Sequence, residues 1–149
     1  MPSERQRRAL ILEHCWSLYQ ILTETFVVPE TFHTEFPVIT ETVLLTNTLH
    51  VVLPLFSALT LSLREEYAFE QYALQVRRYS YNVIDHADVN VLRADNLPHH
   101  RTDYRGRPLP HPPHHMHDEH GRVLSFSGQV QDFLHATRSL LSTHVSQKR

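Results

Sequence analysis

The sequence has almost no cysteine, little net charge and no long apolar run. Cys15 is the only cysteine in 149 residues, so the chain cannot form an internal disulfide or a thiolate metal cluster, and a reducing cytoplasm suits it. The formal charge of -2 provides no overall cationic field, so nucleic acid would have to bind at a local basic patch. No apolar core follows the charged amino terminus, which argues against a signal peptide or a membrane span.

The length and the hydrophobic fraction of 41% suit a single domain, 1–149, with one core. Ser3 and Gln6 form a capping-box pattern ahead of an amphipathic stretch, and Ser127 precedes a second one. No repeat with a period of tens of residues is present. We therefore expect four parts: a helix over 4–22, antiparallel strands within 38–96, a histidine-rich loop over 97–124 and a closing helix over 127–145.

Alternating patterns indicate the strands. Leu59, Leu61 and Leu63 alternate with polar residues, and 73–83 repeats this period of two. The stretch 23–37 is aromatic and β-branched but contains two prolines, which favours a loop or an edge strand. The predicted fold class is α+β: an antiparallel meander with the amino-terminal and carboxy-terminal helices packed on one face and a long His/Pro-rich loop before the last helix.

Seven of the thirteen histidines lie between Asn96 and Gly121. Five prolines in the same stretch oppose a regular helix or ladder, and loops of this length are commonly functional or disordered. Imidazole titrates near neutral pH, moves protons and ligates transition metals. The loop is therefore the candidate functional segment, and its two dense histidine blocks are His99, His100 and His114, His115, His117.

One interpretation of the loop is metal-free cleavage of RNA. A neutral histidine would take a proton from a ribose 2′-hydroxyl, a protonated one would donate to the leaving oxygen, and an arginine would stabilise the charge that develops. The predicted catalytic residues are His99, His100, His115, His117, Arg93 and Asp95; the predicted substrate-binding residues are Arg78, Tyr79, Tyr81 and Asn96. Tyrosines at strand spacing more often fill a core, however, and Asp95 with Asn96 equally suits an Asx-type turn.

The other interpretation is metal binding. His114, His115 and His117 are spaced so that an extended chain or a turn brings their rings to one ion. Imidazole nitrogen suits a divalent transition metal such as zinc or nickel. Histidine-rich tracts also bind metals without a defined function, so a storage, sensing or interaction protein stays open. The acid–base interpretation requires no cofactor.

Four blocks of the chain resemble the TumE-type toxins of bacterial and archaeal toxin–antitoxin systems. The similarity covers approximately 59–141, and its blocks are Leu63-Arg64-Glu65-Glu66-Tyr67, Arg78-Tyr79-Ser80-Tyr81, Arg93-x-Asp95-Asn96-x-Pro98-His99-His100 and Pro113-His114-His115-Met116-His117. The chain departs from the family pattern in a longer tract, 101–112, between the two histidine blocks.

The resemblance implies a small α+β protein that is encoded beside an antitoxin, often a helix-turn-helix protein, and binds it. It does not imply a settled reaction. Together with the histidine, arginine and aspartate cluster, it favours a cytoplasmic toxin that acts on RNA. No membrane partner is expected, and a homodimer stays open.

Overall fold

The computed structural model describes residues 1–147, which form three α-helices and six β-strands. The helices are α1 Glu4–Thr25, α2 Glu30–Thr46 and α3 Val130–Gln147. The strands are β1 Thr48–Pro54, β2 Thr60–Glu70, β3 Ala73–Ile84, β4 Asn90–Asp95, β5 His115–His117 and β6 Val123–Ser125. A short 3-10 helix, Phe56–Ala58, joins β1 to β2. The capping box at Ser3 and Gln6 is present, and α1 continues to Thr25, beyond its predicted end at 22.

The six strands form one sheet in the order in which they occur along the chain. Every neighbouring pair, from β1 with β2 to β5 with β6, is antiparallel. This arrangement confirms the predicted α+β meander. In an antiparallel sheet one face can pack on a core while the other stays open, and directly opposed residues point to the same face.

The closed face of the sheet carries α1 and α3. Leu61 and Leu63 on β2 are fully buried on this face. Farther along β2, Glu65 accepts a hydrogen bond from His14 of α1 at 2.9 Å. On β3 the Tyr81 ring lies 5.5 Å from that of Phe133 in α3. The helices therefore cover one face, and the alternate residues of the same strands line an open face.

Helix α2 corrects the sequence prediction. The stretch 23–37 was predicted as a loop or edge strand and 38–96 as strands, yet Glu30–Thr46 is helical. Pro29 stands at the N-cap, where its missing N–H costs nothing, and Pro37 is accommodated inside the helix. The buried residues Phe32, Phe36, Val43 and Leu44 recur at helical spacing. Their packing outweighs the strand preference of aromatic and β-branched residues.

The predicted loop 97–124 is also partly wrong. It contains β5 and reaches into β6, two strands of three residues each. They exist because β4 offers a free edge on which β5 pairs, a long-range effect that local propensity does not reveal. The closing helix begins at Val130 rather than 127, and the Ser127 hydroxyl accepts a hydrogen bond from the Gln129 N–H at its entrance.

Candidate metal centre

The register of β4 and β5 places four candidate residues together on the open face. Arg93 lies opposite His117, and Asp95 lies opposite His115. Ala94, between Arg93 and Asp95, points to the closed face and is fully buried. The shared face of Arg93 and Asp95 that strand alternation predicts is therefore present, and β5 adds two imidazoles to it.

His100 brings the two histidine blocks together. One ligand nitrogen from each of His100, His115 and His117 lies within 4.8 Å of the other two. The ring centroids are 5.0 to 5.3 Å apart, and the rings meet edge to face. We call these residues the histidine triad. Three imidazole nitrogens this close are near enough to hold one metal ion.

Backbone carbonyls fix the rings of His115 and His117. His115 Nδ1 lies 2.9 Å from the Pro113 carbonyl oxygen, and His117 Nδ1 lies 3.4 Å from that of Gly121. A carbonyl oxygen only accepts, so Nδ1 is the donor in each ring and Nε2 of the neutral ring holds the lone pair. Both Nε2 atoms are buried and have no hydrogen-bond partner among the described residues. Carbonyls orient metal-binding histidines in this way.

Asp95 adds a carboxylate beside the triad. It is 5% exposed, and its Oδ1 accepts a hydrogen bond from the Leu97 N–H at 3.0 Å, as an Asx-type turn requires. The same Oδ1 lies 3.4 Å from His115 Nε2. Two acceptors facing each other at this distance repel unless a cation or a proton lies between them. Ligands bonded to a tetrahedral zinc ion at about 2.0 to 2.1 Å are separated by about 3.4 Å.

Arg93 brings a positive charge to the same place. Its Nε lies 3.6 Å from Asp95 Oδ2, and this buried nitrogen has no hydrogen-bond partner in the described part of the chain. A guanidinium with free donors suits the stabilisation of a phosphate or another anion.

The surroundings of His100 and His117 favour neutral rings. Burial lowers the pKa of His100, the neighbouring His115 lowers it further, and Asp95 opposes the change. Burial also lowers the pKa of His117, which the Gly121 carbonyl opposes and Arg93 reinforces. Neutral imidazole is the form that ligates metals.

His114 does not belong to the triad, which corrects the predicted metal set of His114, His115 and His117. Its Nδ1 lies 2.8 Å from the Tyr79 hydroxyl, and the two rings stack at 5.7 Å. Burial lowers the pKa of His114, as does its neighbour His111. Alternation explains the exchange: His115 and His117 share the open face, so the residue before them points away, and His100 supplies the third ring.

Tyr79 and Tyr81 fill the core rather than stack on bases, which corrects their predicted role in substrate binding. They are 3% and 1% exposed, and their rings stack on each other at 4.6 Å. Burial raises the pKa of both hydroxyls. Asn96, also predicted to bind substrate, joins β3 to the end of β4. Its side chain accepts from the Tyr79 N–H and donates to the Arg77 carbonyl.

A groove of about 550 Å³ adjoins the centre on the open face. Arg93 and Asp95 belong to both the groove and the centre. The predicted residues Arg78 and His99 line it as well, and both are exposed. His99 thus lies outside the triad but beside it. We call this surface the open-face groove; its other lining residues include His50, Arg64, Glu66 and Ser80.

The sequence prediction missed one polar cluster, which lies on the closed face. Glu65 accepts hydrogen bonds from Tyr67 at 2.7 Å and from Tyr81 at 2.5 Å, in addition to His14. A signal was available, since Glu65 occupies an inward position in the alternation Leu61, Leu63, Glu65. A carboxylate at such a position must have buried partners.

Comparison with protein-family models, with curated proteins and with solved structures finds no match. Within residues 1–147, no helix has the length and apolar character needed to cross a bilayer. The fold and the centre therefore carry the functional argument by themselves.

Proposed function

We propose that the protein binds a divalent transition metal, zinc or nickel, through His100, His115 and His117. The observation that supports this most strongly is the pair of buried Nε2 atoms of His115 and His117, which have no hydrogen-bond partner among the described residues. Leaving such acceptors buried and unpaired costs about 1 to 3 kcal/mol each, and a shared ion removes that cost. A ligand set made of imidazole nitrogens, without a thiolate among the three ligands, suits zinc or nickel.

Three protein ligands leave one coordination position for water or substrate, as in catalytic zinc sites. When bound, such an ion would lower the pKa of a coordinated water and supply a nucleophile at neutral pH. Asp95, 3.4 Å from His115 Nε2, is placed to accept a proton or to complete the ligand set. Arg93 is placed to stabilise negative charge that develops on a substrate. The proposed activity is metal-dependent hydrolysis.

Metal binding is tested by titrating zinc into the whole chain and into His100→Ala and His117→Ala. We expect one zinc per wild-type chain and a loss of affinity of at least tenfold in each variant. Zinc at 100 times its dissociation constant should raise the Tm of the wild type by about 5 to 10 °C.

His120→Ala is the matched control, because His120 lies in the same segment but is exposed and outside the triad. It should bind zinc as the wild type does. Unchanged zinc affinity in both triad variants would contradict the proposed centre, as would a wild-type chain that binds no zinc.

We propose as the second candidate a toxin-like ribonuclease that uses the same histidines without metal. The supporting observation is the Arg93 guanidinium beside the strand that carries His115 and His117; its Nε has no hydrogen-bond partner among the described residues. One neutral imidazole takes the proton of a ribose 2′-hydroxyl, and the 2′-oxygen bonds to phosphorus. The bond from phosphorus to the 5′-oxygen breaks, and a second, protonated imidazole donates a proton to that oxygen. The partner in this proposal is a cytoplasmic antitoxin, often a helix-turn-helix protein.

The toxin proposal is tested by inducing the wild type, His100→Ala, His117→Ala and His120→Ala in growing cells. Wild type and His120→Ala should arrest growth and degrade cellular RNA, and the two triad variants should do neither. Equal arrest by all four proteins would remove the assignment of the triad. Intact RNA in arrested cells would remove the ribonuclease activity.

A further inference from the structure

The open-face groove has two exposed arginines besides Arg93. Arg64 on β2 and Arg78 on β3 line it and are exposed. In the part of the chain that the structure describes, neither side chain has an ion pair or a hydrogen bond, whereas Arg93 lies beside Asp95. Surface arginines without a partner retain all their donors for an anion.

The acidic residues of the groove are mostly engaged. Glu65 points to the closed face, where His14 and two tyrosines hold it. Asp95 is held by the Leu97 N–H and lies beside Arg93. Glu66, opposite Arg78 in the register, is the exposed carboxylate that remains. A bound anion therefore meets Arg64 and Arg78 with Glu66 as the opposing charge.

The register lines up one row of polar residues across the open face. Arg64 lies opposite Ser80, Ser80 opposite Asp95, and Asp95 opposite His115. With strands about 4.8 Å apart, Arg64 stands about 14 Å from His115 along this row. This span exceeds a single phosphate group and suits successive phosphates of one chain.

The exposed rings of the groove are the imidazoles of His50 and His99. Tyr79 at its floor is 3% exposed, and its ring stacks on Tyr81 beneath the sheet. Binding that selects bases in single strands reads the base edges through hydrogen bonds, whereas binding through arginine and phosphate is insensitive to sequence. Arginine donors without an exposed tyrosine, phenylalanine or tryptophan in the lining favour a ligand that is read through its phosphates.

We infer that the open-face groove binds the phosphodiester backbone of single-stranded RNA, with Arg64 and Arg78 on phosphates that flank the one at the histidine triad, and without selecting bases. This inference rests on the proposed hydrolytic centre and names its substrate class. The histidine triad lies at the recessed end of the open-face groove. Arg64 and Arg78 hold the RNA backbone where it crosses the sheet.

The test measures binding of fluorescent oligouridylate and oligoadenylate to the whole chain by anisotropy, without added metal and at several salt concentrations. Each phosphate neutralised on a single strand contributes about −0.7 to the slope of log affinity against log salt. With Arg64, Arg78 and Arg93 engaged, we expect a wild-type slope of about −2 and a slope of about −0.7 in the Arg64→Gln/Arg78→Gln double variant.

Two control variants make the test specific. Arg77→Gln removes an exposed arginine of the same strand that does not line the groove, and it should leave the slope unchanged. Glu66→Gln removes the opposing carboxylate and should tighten binding. A slope that the double variant does not change, or that Arg77→Gln changes equally, would overturn the inference. A tenfold preference for one base or for duplex RNA would also overturn it.

The outcome separates this inference from the metal proposal. Oligonucleotide binding that depends on Arg64 and Arg78, in a chain that binds no zinc, would support the groove and remove the proposed centre. Zinc binding that depends on the triad, without any affinity for either oligonucleotide, would support the centre and remove the groove.

Discussion

Gly128 is the residue that holds His114 in place. Its φ is +87°, and a Cβ added to it would lie 2.7 Å from His114 Nδ1. The His114 ring thus lies against Gly128, and its Nδ1 is hydrogen-bonded to the Tyr79 hydroxyl. The substitution Gly128→Ala should displace the ring, disturb its hydrogen bond with Tyr79 and strain the backbone. Urea unfolding should show a clear loss of stability, and the His114 imidazole resonances should shift.

Gly106→Ala is the control for this prediction. Gly106 has a similar φ of +80°, but a Cβ there would meet nothing within 4 Å. Both variants incur the backbone cost, so the difference between them isolates the contact with His114. We expect Gly128→Ala to be less stable than Gly106→Ala by about 1 to 3 kcal/mol. Equal stability of the two variants would show that the His114 ring moves aside without any loss of free energy of unfolding.

The sequence predicted which types of side chain form the site better than it predicted their partners. Strand alternation was sufficient to place Arg93 and Asp95 on one face. To predict that His100, rather than His114, joins His115 and His117, one needs the register of β4 with β5 and the path of the chain after Asp95. Local spacing describes neighbours along the chain, whereas a ligand set depends on contacts across strands.

At the element scale, Glu65 links β2 to α1. Burial of this carboxylate opposes its ionisation, but the hydrogen bond and charge of His14, with the hydroxyls of Tyr67 and Tyr81, lower its pKa. A group whose folded-state pKa is below the unfolded value of about 4.3 stabilises the fold above that pH. The stabilisation is lost as the pH falls through the folded-state pKa.

Glu65→Gln should therefore lower the free energy of unfolding at pH 7 by about 1.5 to 3 kcal/mol, because the charged hydrogen bonds are lost. The variant should also lose less stability than the wild type when the pH is lowered from about 5. Urea unfolding at several pH values measures both effects. Glu66→Gln, on the same strand but facing the open side, should leave stability within about 0.5 kcal/mol. Parallel pH profiles for wild type and Glu65→Gln would contradict this assignment.

The elements with a clear period were predictable, and those defined by packing were not. The capping box and apolar stripe located α1, and alternation located β2 and β3. Helix α2 has phenylalanines and β-branched residues whose local preference favours a strand, so its helical form follows from burial between other elements. Strand β5 has three residues and depends on the edge of β4.

At the scale of the whole molecule, the meander explains why the site is found on one side. A sheet that carries α1 and α3 on its closed face presents the alternate residues of its strands on the other face, where Arg93, Asp95, His115 and His117 lie together. The sequence predicted this two-sided arrangement from the leucines of β2. It did not predict that the polar row would run from His115 to Arg64, because the register of four strands fixes that alignment.

The return of the chain from His100 to His115 has a consequence for a protein with a single cysteine. An ion shared by these two residues and His117 would close the segment 101–114 into a ring. A cross-link of this kind removes conformations from the unfolded chain, as a disulfide does, and a disulfide around a ring of about 15 residues contributes about 3 kcal/mol. Metal coordination would thus give this chain a reversible internal cross-link, which its single cysteine cannot form.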